Sequence, residues 1–433
     1  MSPLQVGILG IAILLALLVA SMPVGFAMAA VGVFGFALIT TPQAAFSMVS
    51  ANLYDTFSNY SFTVIPLFVL MGQIAFHAGI SRRLYKAAYH WLGPLPGGLS
   101  MATVGACTAF GAICGSGPAT AATMATVAIP EMRRYRYDME LASGSVAAGG
   151  SLGMLIPPSV VFIVYAIMTE QSIGKLFLAG IVPGLLVAGL FCLTIYVHCR
   201  LRSHLGPAAP PSSWKEKFAS LTGVSETLII FFVVMGGMFA GYFTPTEAAA
   251  IGALSSIVVA AARKRLTRKA FFQALRETVR TSCMVIVIVA GAMIFGRFLA
   301  ITRIPFTLAA WLGGLPLPPW AIMALIILFY LLAGCFVDAL ALILLTIPIF
   351  FDVIIGLGYN PVWFGVIVVI VTQMGVISPP VGVCVYVVSG MERDVPLQTV
   401  FRGALPFLGA LILAAILLIA FPQLSLWLPG LMK

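Results

Sequence analysis

The sequence predicts an all-α polytopic membrane protein made of two inverted-topology repeats, each with five crossings and one re-entrant helical hairpin. Three observations lead there: an excess of apolar residues, a recurrence of motifs between the two halves, and a lopsided distribution of cations. Of 433 residues, 61% are hydrophobic and 8% charged, against about 45–50% and about 25% in soluble domains. So little polar surface cannot enclose so large a core in water, which excludes a soluble enzyme and a disordered chain. The net charge of +10 does not point to nucleic acid, because the basic residues sit in short clusters between apolar runs, the pattern of the positive-inside rule. The seven cysteines fall mostly inside those runs with no CxxC pair, and read as small core residues. The N-terminus lacks a basic stretch before the run from Leu4 to Ala20, so a retained first helix is expected rather than a cleaved signal.

Apolar windows of about 20 residues place crossings at 4–20, 23–40, 61–78, 139–168, 175–199, 224–243, 245–262, 275–298, 361–388 and 400–428. Two further apolar tracts, 99–130 and 318–351, are each split by a break. Halves of about 13–17 residues reach only roughly 20–25 Å, short of a hydrocarbon core of about 30 Å, so both tracts read as re-entrant hairpins. Two short full crossings are the alternative for each. The first break is Gly115-Ser116-Gly117-Pro118, where Ser116 or Gly117 can cap and Pro118 suits the first turn of the next helix. The second surrounds Gly334 and Asp338.

The two halves match in order. Pro23 aligns with Pro245, Trp91-Leu92-Gly93 with Trp311-Leu312-Gly313, and Ile129-Pro130 with Ile347-Pro348. Gly153-Met154-Leu155-Ile156-Pro157-Pro158 aligns with Gly375-Val376-Ile377-Ser378-Pro379-Pro380, and Gly180 to Pro183 with Gly403 to Pro406. A recurrence of this kind marks an internal repeat, with units at 1–205 and 224–433 and a linker at 206–223. Five crossings per unit is an odd number, so the second copy is expected upside down, as in many secondary transporters. With the N-terminus outside, nineteen Lys and Arg collect on one face and only Lys175, Arg297, Arg303 and Lys433 on the other. The richer face is assigned to the cytoplasm, the linker lies there, and both termini lie outside.

Four interruptions fall within apolar helices: the two hairpin tips and the Pro-Pro stretches at 153–158 and 375–380. A Pro-Pro pair removes donors and clashes with the preceding turn, and backbone freed at membrane depth must find other partners. Freed carbonyls with the hydroxyls of Ser116, Thr120 and Ser151 suit a hard cation, and the absence of charge between Lys86 and Glu131 favours Na⁺ over a divalent ion. Close helix packing by small residues is the alternative. Asp338 is the only acidic residue between Glu277 and Asp352, and a carboxylate in an apolar hairpin needs a partner. That partner is a cation, a proton, Arg297 or Arg303, unless Asp338 simply caps a helix. Gln373 and Ser378 in the second unwound helix are further candidates. Glu247 is either a buried functional acid or ordinary first-turn dipole chemistry. Gly149-Gly150-Ser151-Leu152-Gly153 fits G-x-S-x-G but lacks the strand-turn-helix setting, and no P-loop motif is present, so neither hydrolase nor ATP-driven chemistry is expected.

Gly-Ser-Gly-Pro-Ala-Thr-Ala-Ala at 115–122, Ala-Ile-Pro-Glu-Met at 128–132, Leu-Ile-Pro-Pro-Ser at 155–159, Ile-Gly-Lys-Leu-Phe-Leu-Ala-Gly at 173–180, Phe-Thr-Pro-Thr-Glu-Ala-Ala-Ala at 243–250 and Ser-Pro-Pro-Val-Gly at 378–382 resemble the large membrane subunit of tripartite ATP-independent periplasmic (TRAP) transporters. The resemblance covers essentially the whole chain. It implies Na⁺-driven uptake, through the bacterial inner membrane, of an organic acid anion such as a C4-dicarboxylate or sialic acid. It also implies a periplasmic binding protein, a small four-helix membrane subunit expected here as a separate chain, and an elevator in which hairpins and broken helices slide against a scaffold. Carried onto this chain, one cation site lies around Gly115, Ser116, Ser151, Gly153 and Pro157, and a second around Gly334, Asp338, Gly375, Ser378 and Pro379. Two or more Na⁺ ions are therefore expected. Substrate is expected between the tips, with Ser116, Thr120, Ser159, Arg297 and Gln373 as its contacts. The chain departs from the family at Gly117, where a serine is frequent, and at Ser378, where a threonine is frequent. A stand-alone Na⁺/dicarboxylate symporter, a channel and a non-transporting membrane subunit are the other readings.

Overall fold

The computed structural model describes residues 2–20, 22–313 and 317–432; Lys433, one of the four minority cations, lies outside them. Among the described residues there are helices and no strands. The first half contains α1 (Pro3–Val19), α2 (Val24–Ile39), α3 (Pro42–Ser58), α4 (Val64–His77), α5 (Ile80–Leu92), α6 (Gly98–Cys114), α7 (Gly117–Arg134), α8 (Met139–Ser151), α9 (Val160–Met168) and α10 (Ile173–Leu201). The second contains α11 (Trp214–Phe231), α12 (Gly237–Phe239), α13 (Pro245–Ala262), α14 (Arg268–Thr302), α15 (Ile304–Gly313), α16 (Pro319–Gly334), α17 (Ala339–Gly356), α18 (Pro361–Ile377), α19 (Val383–Met391), α20 (Leu397–Ala420) and α21 (Gln423–Gly430).

Seven helices among the described residues are long and apolar enough to cross a membrane: 60–77, 173–201, 214–239, 245–262, 268–302, 339–356 and 397–420. Of the other expected crossings, α1 and α2 are short, with 17 and 16 residues. The spans expected at 139–168 and 361–388 are each two helices with a gap between. The expected crossing 400–428 ends early, at Ala420, because Phe421 leaves helical geometry and Pro422 after it has no N–H to continue the helical bonding before α21 starts. The second arms of both hairpins run past their expected ends to Arg134 and Gly356, carrying Pro130 and Pro348 inside the helix, which neighbouring helices make tolerable.

Three elements escaped the apolar windows: α3, α5 and α15. α5 is the clearest case. Ile80, Leu84, Tyr85 and Ala87 are buried while Arg82 and Lys86 are exposed, a helical period without an apolar run. α14 has 35 residues, about 52 Å at 1.5 Å per residue, so it overshoots a bilayer and carries its basic first turns beyond it.

The broken helices sit at the centre. α8 packs on α6, α7 and α20, and α18 on α16, α17 and α20. Every residue of α18 after Pro361 is buried. Around this bundle lies a frame in which α14 packs on α2, α3 and α4, and α13 on α4. Large apolar side chains such as Phe26, Phe34, Phe46 and Leu254 face outward there, as lipid contact requires. Caps fix where helices begin: Asp138 accepts from Glu140 N at 2.7 Å, and Asn360 from Val362 N at 2.9 Å. Glu247 is exposed and closes a capping box, accepting from the backbone N and the hydroxyl of Thr244, both at 2.8 Å. Of its two readings, the first-turn one is what the geometry shows.

One ion-pair cluster ties the frame together. The carboxylate of Glu226 on α11, only 5% exposed, accepts from Arg83 of α5 at 2.6 Å and from Arg263 after α13 at 2.9 Å. Removing the shared acid leaves two cations facing each other. Glu226→Gln is expected to cost about 1–3 kcal/mol, below the range for fully buried pairs because both arginines are partly solvated. The apparent unfolding temperature of the purified chain in detergent measures this, and an unchanged value removes the cluster from the stability argument.

Candidate functional site

At the first tip, helix α6 ends on Gly115 with φ 65°, and Ser116 is extended before α7 starts at Gly117. The positive φ suits glycine; a Cβ there would also strike the Pro158 carbonyl oxygen. Ser116 occupies the N-cap position but makes no side-chain capping bond. At the second tip, α16 ends at Gly334 and α17 starts after Asp338, whose carboxylate accepts from Leu340 N at 3.1 Å. Asp338 thus does cap a helix, and it also lines a cavity.

The two unwound segments are alike. α8 passes through a 3-10 turn, Leu152–Met154, to the cis pair Pro157-Pro158, and α18 ends before the cis pair Pro379-Pro380. Each is stitched to a tip by one backbone bond: Val160 N donates to Gly115 O at 3.2 Å, and Val381 N to Cys335 O at 3.2 Å. Hydroxyls satisfy the last carbonyls, Ser159 bonding Met154 O and Ser378 bonding Met374 O at 2.6 Å. Glycines permit the approach. A Cβ on Gly111 would lie 2.9 Å from Gly153 Cα, and one on Gly375 would fall onto the Gly334 carbonyl.

Oxygens gather beside Gly153. A Cβ added there would be 2.7 Å from Thr120 Oγ1 and 2.8 Å from Ser116 O. Thr120 Oγ1 is buried without a hydrogen-bond partner, an expensive condition for a hydroxyl. Ser151 Oγ is engaged with Ala148 O at 2.7 Å, while its carbonyl accepts from Gln373 Nε2 at 2.8 Å.

Both tips face one cavity of about 270 Å³, with Ser116 and Pro118 from the first, Asp338 and Leu340 from the second, and Gln73 and Thr281 from the frame. The expected residues therefore fall into groups. Gly115, Ser116 and Asp338 share the cavity. Thr120, Ser116 and Gly153 form the oxygen cluster, and Gly334 touches Gly375. Pro157, Ser378 and Pro379 lie in the unwound segments. Ser159, Gln373 and Arg297 are not brought to the cavity. Ser159 caps α9, and Gln373 is buried where α18 meets Ser151. Arg297 is exposed on α14, the helix that contributes Thr281 and Val285 to the lining. The twelve residues from Val285 to Arg297 along one continuous helix amount to about 18 Å, too far for its guanidinium. Neither Arg297 nor Arg303 pairs with Asp338, which has no ion pair among the described residues.

Gln73 and Thr281 were missed. Gln73 did leave a signal, being the one amide within the apolar run Val64–Phe76, since a polar side chain in a span is costly without a task. Thr281 left none.

A family model described as "Tripartite ATP-independent periplasmic transporter, DctM component" matches residues 11–424. The chain belongs to this family. DctM-family relatives include the C4-dicarboxylate TRAP transporter large permease protein DctM of Pseudomonas aeruginosa, 38% identical over 91% of each chain. The sialic acid TRAP transporter large permease protein SiaM of Vibrio cholerae is 35% identical over 96% of this chain and 97% of that one. An isethionate TRAP transporter permease protein, DctMQ of Oleidesulfovibrio alaskensis, is 34% identical over 92% of this chain but only 63% of its own length. This DctM-family chain is accordingly a TRAP large permease, a membrane transport protein and not an enzyme. Its fold is similar to the YdaH transporter of Alcanivorax borkumensis, with a TM-score of 0.62 at 15% identity over 90% of both chains.

The oxygen cluster predicts a sharp glycine requirement. In the reconstituted transporter, Gly153→Ala should lower uptake by about tenfold or more, matching the roughly 1–3 kcal/mol cost of overpacking. Gly409→Ala, where a Cβ meets open space, should leave uptake unchanged. Equal rates for the two variants would remove Gly153 from the site.

Proposed function

We propose that this permease carries out Na⁺-coupled uptake of an organic acid anion delivered by a periplasmic binding protein, by an elevator movement of the central bundle against the frame. The observation that carries the proposal is the single cavity shared by the two hairpin tips and the frame helices α4 and α14. A site built from both the bundle and the frame changes its lining when one slides past the other, which is what alternating access needs.

The electrostatics of the two tips differ. The carboxylate of Asp338 already answers the positive end of α17, so a cation gains most beside it. The first turn of α7 lacks such an answer, and a substrate carboxylate gains most there, near Ser116. The neutral oxygens of Ser116, Thr120, Ser151 and Gly153 are of the kind that suit Na⁺, and Thr120 Oγ1 lacks a partner within the protein. Na⁺ held in these two places would neutralise Asp338 at one tip and offset the substrate carboxylate at the other, which makes transfer of an anion across the bilayer cheaper.

Two units at 1–205 and 224–433, which the recurring motifs predict to be oppositely oriented about the linker at 206–223, support the same reading. So do matched pairs of broken helices and hairpins, α6–α9 and α16–α19. The nineteen cations expected on one face support a cytoplasmic assignment of that face in a bacterial cell, with both termini periplasmic. A small four-helix membrane subunit, as a separate chain, completes the assembly. C4-dicarboxylates, sialic acid and isethionate, named for the relatives, support small organic acids as the substrate class.

Proteoliposomes with the small subunit and the binding protein test this. Uptake is expected only with an inward Na⁺ gradient and to stop when an ionophore dissipates it. Asp338→Asn should insert normally and lose Na⁺-driven uptake, whereas normal uptake by that variant refutes its role. Transport by the large subunit alone, without a binding protein, favours the stand-alone symporter.

A further inference from the structure

Helices α5 and α15 hold equivalent places in the repeat, aligned through Trp91 and Trp311, each leading into a hairpin. Their chemistry is opposite. α5 carries Arg82, Arg83, Lys86 and His90, and α15 carries no charged residue. α5 is also a joint, packing on α6 of the central bundle on one side and on α11 of the frame on the other.

A cavity of about 480 Å³ opens between α5 and α7, lined among others by Arg82, Lys86, Arg134, Tyr89 and Tyr135, with Glu131 as its one carboxylate. None of the three cations makes an ion pair among the described residues, while the neighbouring Arg83 is taken by Glu226. The hydroxyls of Tyr89 and Tyr135 are 2.8 Å apart. Only one proton serves that bond, so the accepting hydroxyl has its own proton to donate. Three unpaired cations and a spare O–H form a receptor for a phosphate.

The surroundings are those of a membrane surface. Exposed Trp91 and Trp214 flank Phe218 at centroid distances of 6.2 and 6.1 Å, and Lys217 Nζ lies 4.8 Å over the Trp214 ring. Aromatic rings interleaved with cations are characteristic of the headgroup level, and a basic pocket between helices on the cytoplasmic side suits an anionic lipid.

We propose that the cavity between α5 and α7 binds the phosphate of an anionic phospholipid from the cytoplasmic leaflet. The proposal rests on the topology given under Proposed function, which puts α5 at the cytoplasmic surface. A headgroup held there bridges the joint helix and the first hairpin, so its binding couples lipid composition to the position of the central bundle.

The test uses the purified full chain in neutral detergent, titrated separately with phosphatidylglycerol, phosphatidylcholine and inorganic phosphate. Native mass spectrometry and unfolding temperature are the readouts. Phosphatidylglycerol should be retained and should stabilise the chain, and phosphatidylcholine should not. The variant Arg82→Gln/Lys86→Gln/Arg134→Gln should bind phosphatidylglycerol about tenfold or more weakly, as removal of three cations facing an anionic headgroup implies. The double variant Lys86→Gln/Arg134→Gln should show a smaller loss and serves if the triple one misfolds. Arg265→Gln/Arg268→Gln/Lys269→Gln, which removes as many exposed cations at the α13–α14 junction, should bind as the parent chain does. Undiminished binding by the triple variant, an equal loss at the junction, or displacement of the lipid by inorganic phosphate overturns the proposal. These readouts need neither Na⁺ nor substrate, so their failure leaves the transport reading standing, and failed Na⁺-driven uptake leaves lipid binding intact.

Discussion

Peptide groups in hydrocarbon have no water to fall back on, so every break in a helix at that depth must be repaired by the chain itself or by something it binds. This chain has four such breaks, and the repairs account for the centre of its structure. Val160 N reaches Gly115 O and Val381 N reaches Cys335 O, each at 3.2 Å, so each unwound segment is held against its own hairpin tip. The serines that follow or precede the prolines satisfy the carbonyls released behind them. What is left over is as informative as what is repaired. Thr120 Oγ1 and Gln373 Oε1 are buried without partners, and the first of these faces Gly153 and the Ser116 carbonyl. A fold that mends nearly every break, then leaves oxygens unanswered beside one of them, has the makings of a site.

The division into bundle and frame follows from the same constraint. Broken helices can survive only where other protein surrounds them, which is why α8 and α18 are the most enclosed elements and the continuous helices α13 and α14 lie outside. The cavity arises where the two meet. Its polar residues come from opposite sources, with Ser116 and Asp338 on the interrupted elements and Gln73 and Thr281 on continuous ones.

The four breaks were legible because glycine and proline announce them locally: Gly115 to Pro118, the two Pro-Pro pairs, and Gly334 to Asp338. Hydropathy windows could not show α5, since its pattern is periodic rather than apolar, nor α3 with its many polar residues. Windows also merged α20 with α21 across Pro422. Among site residues, Ser116 and Asp338 were legible from chemistry at a break. Arg297 was misplaced because a charge requirement says nothing about distance along a rigid helix. Ser159 and Gln373 were expected as substrate contacts, but what they bond depends on the packing of α9 and of α18, which commits them to Met154 O and Ser151 O. The frame contribution of Thr281 needed the tertiary structure altogether.

Gln373 Nε2 donates to the carbonyl of Ser151, 222 residues earlier in the chain, and by the alignment of Gly153 with Gly375 these two positions are counterparts. In any two-fold arrangement a residue can touch its own counterpart only on the rotation axis. Under the two-unit reading proposed above, that line has no second copy to compensate for a change, so an altered side chain there is felt by both halves at once.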